Sequence, residues 1–333
     1  MTMHGKHSAK QTAGRVHRVG DRLRLQRVAV VRKLSAIELL SDRPDQKLRA
    51  ALDGGDPLAR RVTVAHLEHL ASLEVVEAAL RARGLDFRVV TTLNRRLAGW
   101  ADLIVTVGGD GTFLSASHAV ESTADSDGPP MLGVNSATSS SIGYFCATAA
   151  SGVGALLDQV ATGQLTSRGL GRMVVQVNGR PLRDLALNDV LLAHRVPAET
   201  TRYLLQLGDR SQDQKSSGIW IATPAGSTAA IRSAGGDILS LDRRDLQFRV
   251  RELMTWAVKG PPLAGGCFVG ELNVVSRMLT GTLYIDGGHL RVPFGFGDRL
   301  GFAPSPRPLG WLVPPSFNVR RQAIVAGSEP VPS

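Results

Sequence analysis

The densest chemistry in this sequence lies in DLIVTVGGDGTFL, residues 102–114. A β-branched run ends at Val107 and gives way to Gly108, Gly109, Asp110 and Gly111, and a helix is expected to open near Thr112. Glycines let a backbone adopt φ > 0 and approach a ligand closely. The first turn of a helix adds unpaired N–H groups and the positive end of the dipole. Together these make a phosphate cradle. Asp110 is the odd member, because a carboxylate repels phosphate unless it binds a metal or accepts a proton from a reacting hydroxyl. The competing reading is a Gly-Asp-Gly turn in which Asp110 or Thr112 only caps the helix.

Two further segments carry polar groups at suggestive spacing. In SSGIWIATPAGSTAAIRSAGG, residues 216–236, a strand runs into Thr223-Pro224-Ala225-Gly226 and then a helix of small side chains. Ser227 or Thr228 is expected to cap that helix, and the small residues let a flat ligand reach its start. LNDVLLAH places Asn188 and Asp189 at a strand start. A carboxamide beside a carboxylate supplies the donor and acceptors that a ribose diol needs, although Asn-Asp is also a common turn pair.

Other constellations are weaker. No GxxxxGK[ST] occurs, and GDGTFL and GVGALL are incomplete dinucleotide fingerprints. His66 and His69 lie three apart on a predicted helix, but with no third ligand nearby they read as a solvated helix face. Asp286-Gly287-Gly288 reads as a hairpin turn. Ser227 has no nucleophile elbow around it.

The elements that must position these residues change character along the chain. RVAVVRK at 27–33, DFRVVTT at 86–92, ADLIVTV at 101–107 and PMLGVN at 130–135 read as strands. Residues 62–84 have helical apolar spacing, with Leu67, Leu70, Leu73, Val76 and Leu80 on one face and Gly84 as the stop. FLSASHAVES reads as a helix, and the polar stretch 42–60 as a loop. Strands alternating with helices predict a parallel sheet. After about residue 165, short strand candidates with turns between them predict an antiparallel β region. Among them are an Asn178-Gly179 hairpin, YLLQLG, SGIWIAT, GELNVVS, TGTLYIDG and HLRVPF, with one small-residue helix near 227–234. The last 30 residues read as Pro-rich and mostly irregular. The predicted class is α/β plus β. A basic, disordered tail spans 1–27, an α/β domain 28–165 and a β-rich domain 166–300, and a segment 301–333 packs back on the first domain.

Composition narrows the function classes. Of the net +10 over 333 residues, +6 sits in residues 1–27, where seven Lys and Arg face Asp21 alone. The body is therefore not a basic nucleic-acid-binding surface, and aromatics at 5% exclude a base-stacking design. Cys146 and Cys267 form neither a disulfide framework nor a metal spacing, which suits a reducing compartment, read here as the cytoplasm. No apolar run approaches the ~20 residues of a membrane span.

The ordered set GGDGTFL, GVN…GYF, LND and ATPAGSTAA…SAGG resembles the NAD kinase family over roughly residues 100–240. That resemblance implies a two-domain kinase that phosphorylates the adenosine 2′-hydroxyl of NAD or NADH with ATP and Mg²⁺ or another divalent metal. Asp110 would be the general base and would also contact the dinucleotide. Gly108, Gly109, Gly111 and Thr112 would hold phosphates, with Gly111 also against the dinucleotide. Asn188 and Asp189 would hold ribose, and Lys215, Ser217, Thr228, Ala229 and Ser233 would line the dinucleotide pocket. No side chain is expected to ligate the metal directly. A homo-oligomer, dimer or tetramer, is expected, with neither nucleic acid nor membrane as partner. Ser217 stands where the family usually has aspartate, Ala230 where it has tyrosine, and the stretch between Asn135 and Gly143 is long. These departures resemble the organelle-type, NADH-accepting branch. A missing carboxylate removes about 1 kcal/mol of preference for the cationic nicotinamide of NAD. The competing classes are a lipid or sphingoid kinase, which shares GGDGT but usually lacks TPxGSTA, and a dinucleotide sensor without catalysis, against which Asp110 argues.

Overall fold

The structure is a computed structural model that describes residues 25–42, 45–121, 128–139, 141–288 and 290–326. Its first sheet holds β1 (Arg27–Arg32), β2 (Asp86–Val90), β3 (Leu103–Gly108), β4 (Met131–Asn135), β5 (Cys146–Ala149), β6 (Ser167–Leu170) and, from far down the chain, Leu309–Leu312. β1 lies between β2 and β3, and β4 follows, all parallel. Helices α1 (Ala36–Asp42), α2 (Gln46–Asp53), α3 (Pro57–Arg81), α4 (Arg95–Trp100), α5 (Asp110–Ser117) and α6 (Val153–Ala161) make the crossovers and flanks.

Strand alternation divides the sheet's side chains between two cores. Val28, Val30, Leu103, Val105, Val107, Leu132 and Val134 join Val76 and Leu80 of α3 and Leu156 and Leu157 of α6. Ala29, Val31, Ile104 and Met131 join Leu97 of α4 and Phe113 and Leu114 of α5. With both faces covered, these strands read as unbroken apolar runs.

The rest of the chain forms two six-stranded sheets. One holds β7 (Met173–Val177), β8 (Arg180–Pro181), β10 (Thr201–Leu207), β11 (Arg210–Ser216), β15 (Leu272–Ser276) and β18 (Arg299–Pro304). The other holds β9 (Asp189–His194), β12 (Gly218–Ala222), β13 (Leu246–Arg251), β14 (Gly265–Phe268), β16 (Gly281–Ile285) and β17 (Leu290–Phe294). All their pairings are antiparallel. Inward residues of both, such as Val175, Tyr203, Val274 and Phe302 against Leu192, Ile221, Phe248 and Leu283, share one core. The chain then returns: β19 (Leu309–Leu312) enters the first sheet parallel to β4 and antiparallel to β6, and among the described residues α7 (Ala230–Ser233) and α8 (Phe317–Ala326) are the remaining α-helices. The α/β part followed by antiparallel β sheets is the predicted class.

Several local expectations need correction. Residues 42–60 are not a loop but hold α2 and the start of α3. Asp45 caps α2 by accepting the N–H of Lys47 and Leu48, and Pro57 opens α3, the position where its missing N–H costs nothing. The GGDG helix opens at Asp110 rather than Thr112 and ends at Ser117. The last residues are not mostly irregular, since β19 buries Trp311 completely and α8 follows. β11 was missed because RSQDQKS is polar, which an edge strand tolerates. The Asn178-Gly179 hairpin is present, with φ of 54° and 75°. No described helix is long and apolar enough to cross a membrane.

The basic tail lies outside the described residues except at its end. The N–H groups of Gln26 and Arg27 donate to Asp102 at 3.1 and 2.8 Å, and the Arg27 guanidinium meets the same carboxylate at 2.8 Å. A cut after residue 27 would therefore damage β1, whereas one after residue 24 leaves it whole. Removing residues 1–24 is expected to keep kcat/KM within about twofold, since the segment carries little apolar content to bury. An unfolded or inactive truncation, read by circular dichroism and turnover, would show that it docks on the body.

Candidate active site

β3 ends at Gly108 and α5 begins two residues later, so the GGDG turn sits at the carboxyl end of a fully buried strand. Ligands of open α/β sheets bind at that edge. The turn is too tight for side chains. A Cβ at Gly108 would lie 2.2 Å from Thr112 Oγ1, and one at Gly109 2.8 Å from Ser141 Oγ. At Gly111 a Cβ would meet no protein atom, and this face of the turn is open.

Asp110 does not cap α5. Gly109 is the N-cap residue and no side chain caps it. The Asp110 carboxylate instead accepts the N–H of Tyr144 at 3.0 Å and of Phe145 at 2.7 Å. Asn135 brings that segment into reach. Its Nδ2 donates to Ser141 O at 2.8 Å and its Oδ1 accepts from Ala137 N at 3.2 Å, and a Cβ at Gly143, whose φ is +59°, would lie 2.7 Å from its amide nitrogen. The GVN…GYF spacing is thus a loop fastened at both ends. Burial pushes the Asp110 carboxyl above its ordinary value, against the pull of the two N–H donors and of Arg320.

The C-terminal helix braces this arrangement. Arg320 donates to Cys146 O at 3.0 Å and also to Ile142 O, on either side of the two N–H donors. Arg321 donates to Tyr144 Oη at 2.8 Å and Leu239 O at 2.7 Å, and Arg232 reaches back to Val325 O at 2.8 Å. Phe145 stacks on Phe113 at 5.1 Å, and Trp311 donates its indole N–H to Phe145 O at 3.1 Å. Sequence reasoning missed Arg320 and Arg321, which lie in no recognisable motif.

Asn188 and Asp189 stand where β9 begins, 3.5 Å apart through Asn188 Nδ2. The TPAGST segment packs against them: Thr223 Oγ1 donates to Leu187 O at 2.6 Å, and a Cβ at Gly226 would lie 2.0 Å from Asn188 O. Ser227 does not cap the following helix as expected. Its hydroxyl donates to Pro224 O and accepts from Leu239 N, and α7 starts at Ala230 without a side-chain cap. Thr228 does not cap α7 either, whose N-cap residue is Ala229; Thr228 and Ala229 are partly exposed, and Ser233 is exposed. Leu187 and Ala225 share the core of Phe113 and Phe145, so the GGDG, LND and TPAGST segments meet around one cluster.

Lys215 and Ser217 lie elsewhere in the chain's architecture. Lys215 is on edge strand β11 opposite Arg202, and with Asp213, Gln214, Ala257 and Arg277 they line a cleft of about 330 Å³. Ser217 bridges β11 and β12, its N–H bonded to Arg251 O. The histidine pair is not a solvated face: His69 is completely buried with Nδ1 2.9 Å from Ser136 Oγ, and His66 meets Ser35 Oγ at 2.7 Å. Asp286 is the turn expected, but it also does more, as described below.

Residues 51–165 match the family described as the ATP-NAD kinase N-terminal domain. The chain is similar to a "Probable NADH kinase" of Oryza sativa subsp. japonica, 34% identical over 60% of this chain and 67% of the relative. It is 33% identical to an NADH kinase of Arabidopsis thaliana, over 60% and 68%, and 30% identical to an NAD kinase of Acinetobacter baylyi, over 76% and 81%. In fold it is similar to an NAD kinase from Archaeoglobus fulgidus in complex with ATP, with TM-score 0.65 at 18% identity over 90% of this chain and 99% of that one. Yeast NADH kinase complexed with NADH gives TM-score 0.65 at 14% identity over 91% and 88%.

Asp189 gives this site a pH signature. Burial, and then the charge of Asp286, push its carboxyl up to about 7. An unfolded aspartate titrates near ~3.9. Between those values the folded chain binds the proton more tightly, so stability falls as pH rises from about 4 and the cost is complete above about 7. Asp189→Asn removes the cost. Its melting temperature relative to wild type is expected to be higher at pH 8 than at pH 5 by at least about 2 °C, the shift of roughly 1 kcal/mol at this size. An equal offset at both pH values would place Asp189 in an ordinary solvated environment.

Proposed function

The chain belongs to the NAD kinase family, and on that premise we propose that it moves the γ-phosphoryl group of ATP to the adenosine 2′-hydroxyl of NAD or NADH, giving NADP(H). The observation that carries the reading is Asp110, a carboxylate at a helix-start phosphate turn that is held by two peptide N–H groups and is not used as a cap.

Phosphoryl transfer needs in-line positioning, charge neutralisation and a proton acceptor for the attacking hydroxyl. Asp110 accepts that proton. Its raised pKa makes it a better base than an ordinary carboxylate, and Tyr144 and Phe145 fix its direction. The backbone of Gly108–Gly111 and Thr112 at the start of α5 hold phosphate oxygens, which the open space at Gly111 supports. Asn188 and Asp189 hold a ribose diol, and Thr228, Ala229 and Ser233 face the dinucleotide. Lys215 and Ser217 belong to the same proposal; the cleft that Lys215 lines shares no lining residue with the turn.

Among the described residues no three His, Cys, Asp or Glu side chains form a metal cage, and both Asp110 oxygens already take N–H groups. A Mg²⁺ would therefore be held by the ATP phosphates rather than by a cage of side chains from this chain. When bound, the ion neutralises charge on the transferring group.

A division into an α/β domain over 28–165, a β-rich domain over 166–300 and a returning segment over 301–333 is also proposed, and the pairing of β19 with β4 and β6 supports the return. Homo-oligomerisation, to a dimer or tetramer, is supported by large exposed apolar side chains in the connections between the antiparallel strands, Trp256, Val269, Leu279 and Phe296. A cytoplasmic location is supported by the free thiols of Cys146 and Cys267.

Asp110→Asn keeps the size and one acceptor but removes the base, and kcat is expected to fall by roughly 10² to 10⁴ while the circular dichroism spectrum is kept. Near-normal turnover would reduce Asp110 to an anchor for the Tyr144 loop. With Mg-ATP as donor, NADH is expected to be used with kcat/KM comparable to or better than NAD, as Ser217 and Ala230 lack the groups that favour the cationic ring. A strong preference for NAD, measured by product formation at limiting substrate, would remove Ser217 from the nicotinamide side.

A further inference from the structure

Asp286 follows the last residue of β16 and opens a hairpin turn with φ +50°. Such a turn needs only a residue that tolerates a left-handed backbone, and its side chain can face water. Here the side chain faces inward and is completely buried. Its carboxylate accepts the N–H of Leu187 at 2.8 Å, of Asn188 at 2.6 Å and of Asp189 at 3.1 Å. A fourth contact joins it to His118 Nε2 at 2.8 Å, and the Asp286 N–H donates in turn to Asp189 O at 2.9 Å. A buried carboxylate persists only where donors surround it, and these donors are the backbone of the LND segment and one imidazole.

His118 is the residue that closes α5, and Asp110 is the residue that opens it. A helix of this length spans about 12 Å and does not stretch. One end of α5 therefore presents the Asp110 carboxylate, and the other end, through Asp286, meets the backbone of Asn188 and Asp189. We infer that His118 and Asp286 form a positioning latch that holds the Asn188–Asp189 pair at a fixed separation from Asp110, so that a dinucleotide gripped at one end presents its hydroxyl at the other. The inference rests on the kinase reading above. His118 and Asp286 touch no substrate in it and act only through the residues they hold.

The test compares His118→Leu, which removes the donor, with His118→Gln, which keeps one. The readouts are KM for NAD or NADH, KM for ATP, and the Kd of NADH measured without ATP by its fluorescence. His118→Leu is expected to raise the KM and Kd of the dinucleotide about tenfold, the scale of a lost hydrogen bond to a charged group, with KM for ATP within about twofold. His118→Gln is expected to return both to within about twofold of wild type. Asp286→Asn turns one acceptor into a donor facing N–H groups, and a larger change in the same direction is expected. Should His118→Leu not fold, His118→Ala takes its place. Equal behaviour of the Leu and Gln variants, or matched rises in both KM values, would overturn the latch and leave a fold-stabilising contact. A wild type that binds NADH but transfers no phosphate would instead count against the kinase reading, and the latch would still be read through Kd.

Discussion

Two peptide N–H groups on one carboxylate organise the α/β half of this protein. Tyr144 and Phe145 can reach Asp110 only if the chain between β4 and β5 folds back over the GGDG turn. Asn135 ties that loop at its start and middle, and Gly143 permits the left-handed turn at its end. Arg320 then holds the carbonyls on either side of the donors, and Trp311 holds the carbonyl of Phe145 itself. Each bond in this chain is modest alone, about 1 kcal/mol net. Their shared effect is to leave the Asp110 carboxylate a single orientation while burial raises its affinity for a proton.

The β half serves the same centre from the other side. Its two sheets share an apolar core that owes nothing to the site, and the polar residues of interest lie where strands begin or cross between sheets. Asn188 and Asp189 are fixed not by their own side chains but by what surrounds their backbone, namely Asp286 below, Thr223 on Leu187 and the glycine at 226 pressed against the Asn188 carbonyl.

What the sequence disclosed follows the range of the interactions concerned. The strand-to-helix turn at Gly108–Gly111 was legible because glycine chemistry and the helix start are local, and the choice between cap and base for Asp110 was open because its partners are 34 and 35 residues away. Asn188 and Asp189 were legible as a pair. Asp286 looked like any hairpin turn, since its backbone donors lie 97 to 99 residues earlier and His118 lies 168 earlier. Arg320 and Arg321 carry no spacing that announces a role. His69 shows that helical periodicity alone does not separate a wetted face from a buried one when a polar partner such as Ser136 waits in another loop. The overlooked helix at Gln46–Asp53 is a different case, because its Asp45 cap and the Pro57 start of the next helix were present as signals and were outweighed by polar composition.

The placement of β19 has a consequence for how the molecule assembles. It lies inside the first sheet, between β4 and β6, and its partners are separated from it by the whole of the β region. Until residue 312 has left the ribosome, the second edge of β4 is paired only with β5 along Gly133–Asn135, its Met131 end and the whole of β6 lack their partner strand, and Phe145 lacks the indole that fixes it. The α/β half therefore cannot reach its final form as an independent nascent unit, and the antiparallel sheets have time to close first. Such long-range closure slows folding and leaves an exposed strand edge in the meantime. The same wiring withholds the finished GGDG turn from any incomplete chain, because Trp311 and then Arg320 are among the last residues made.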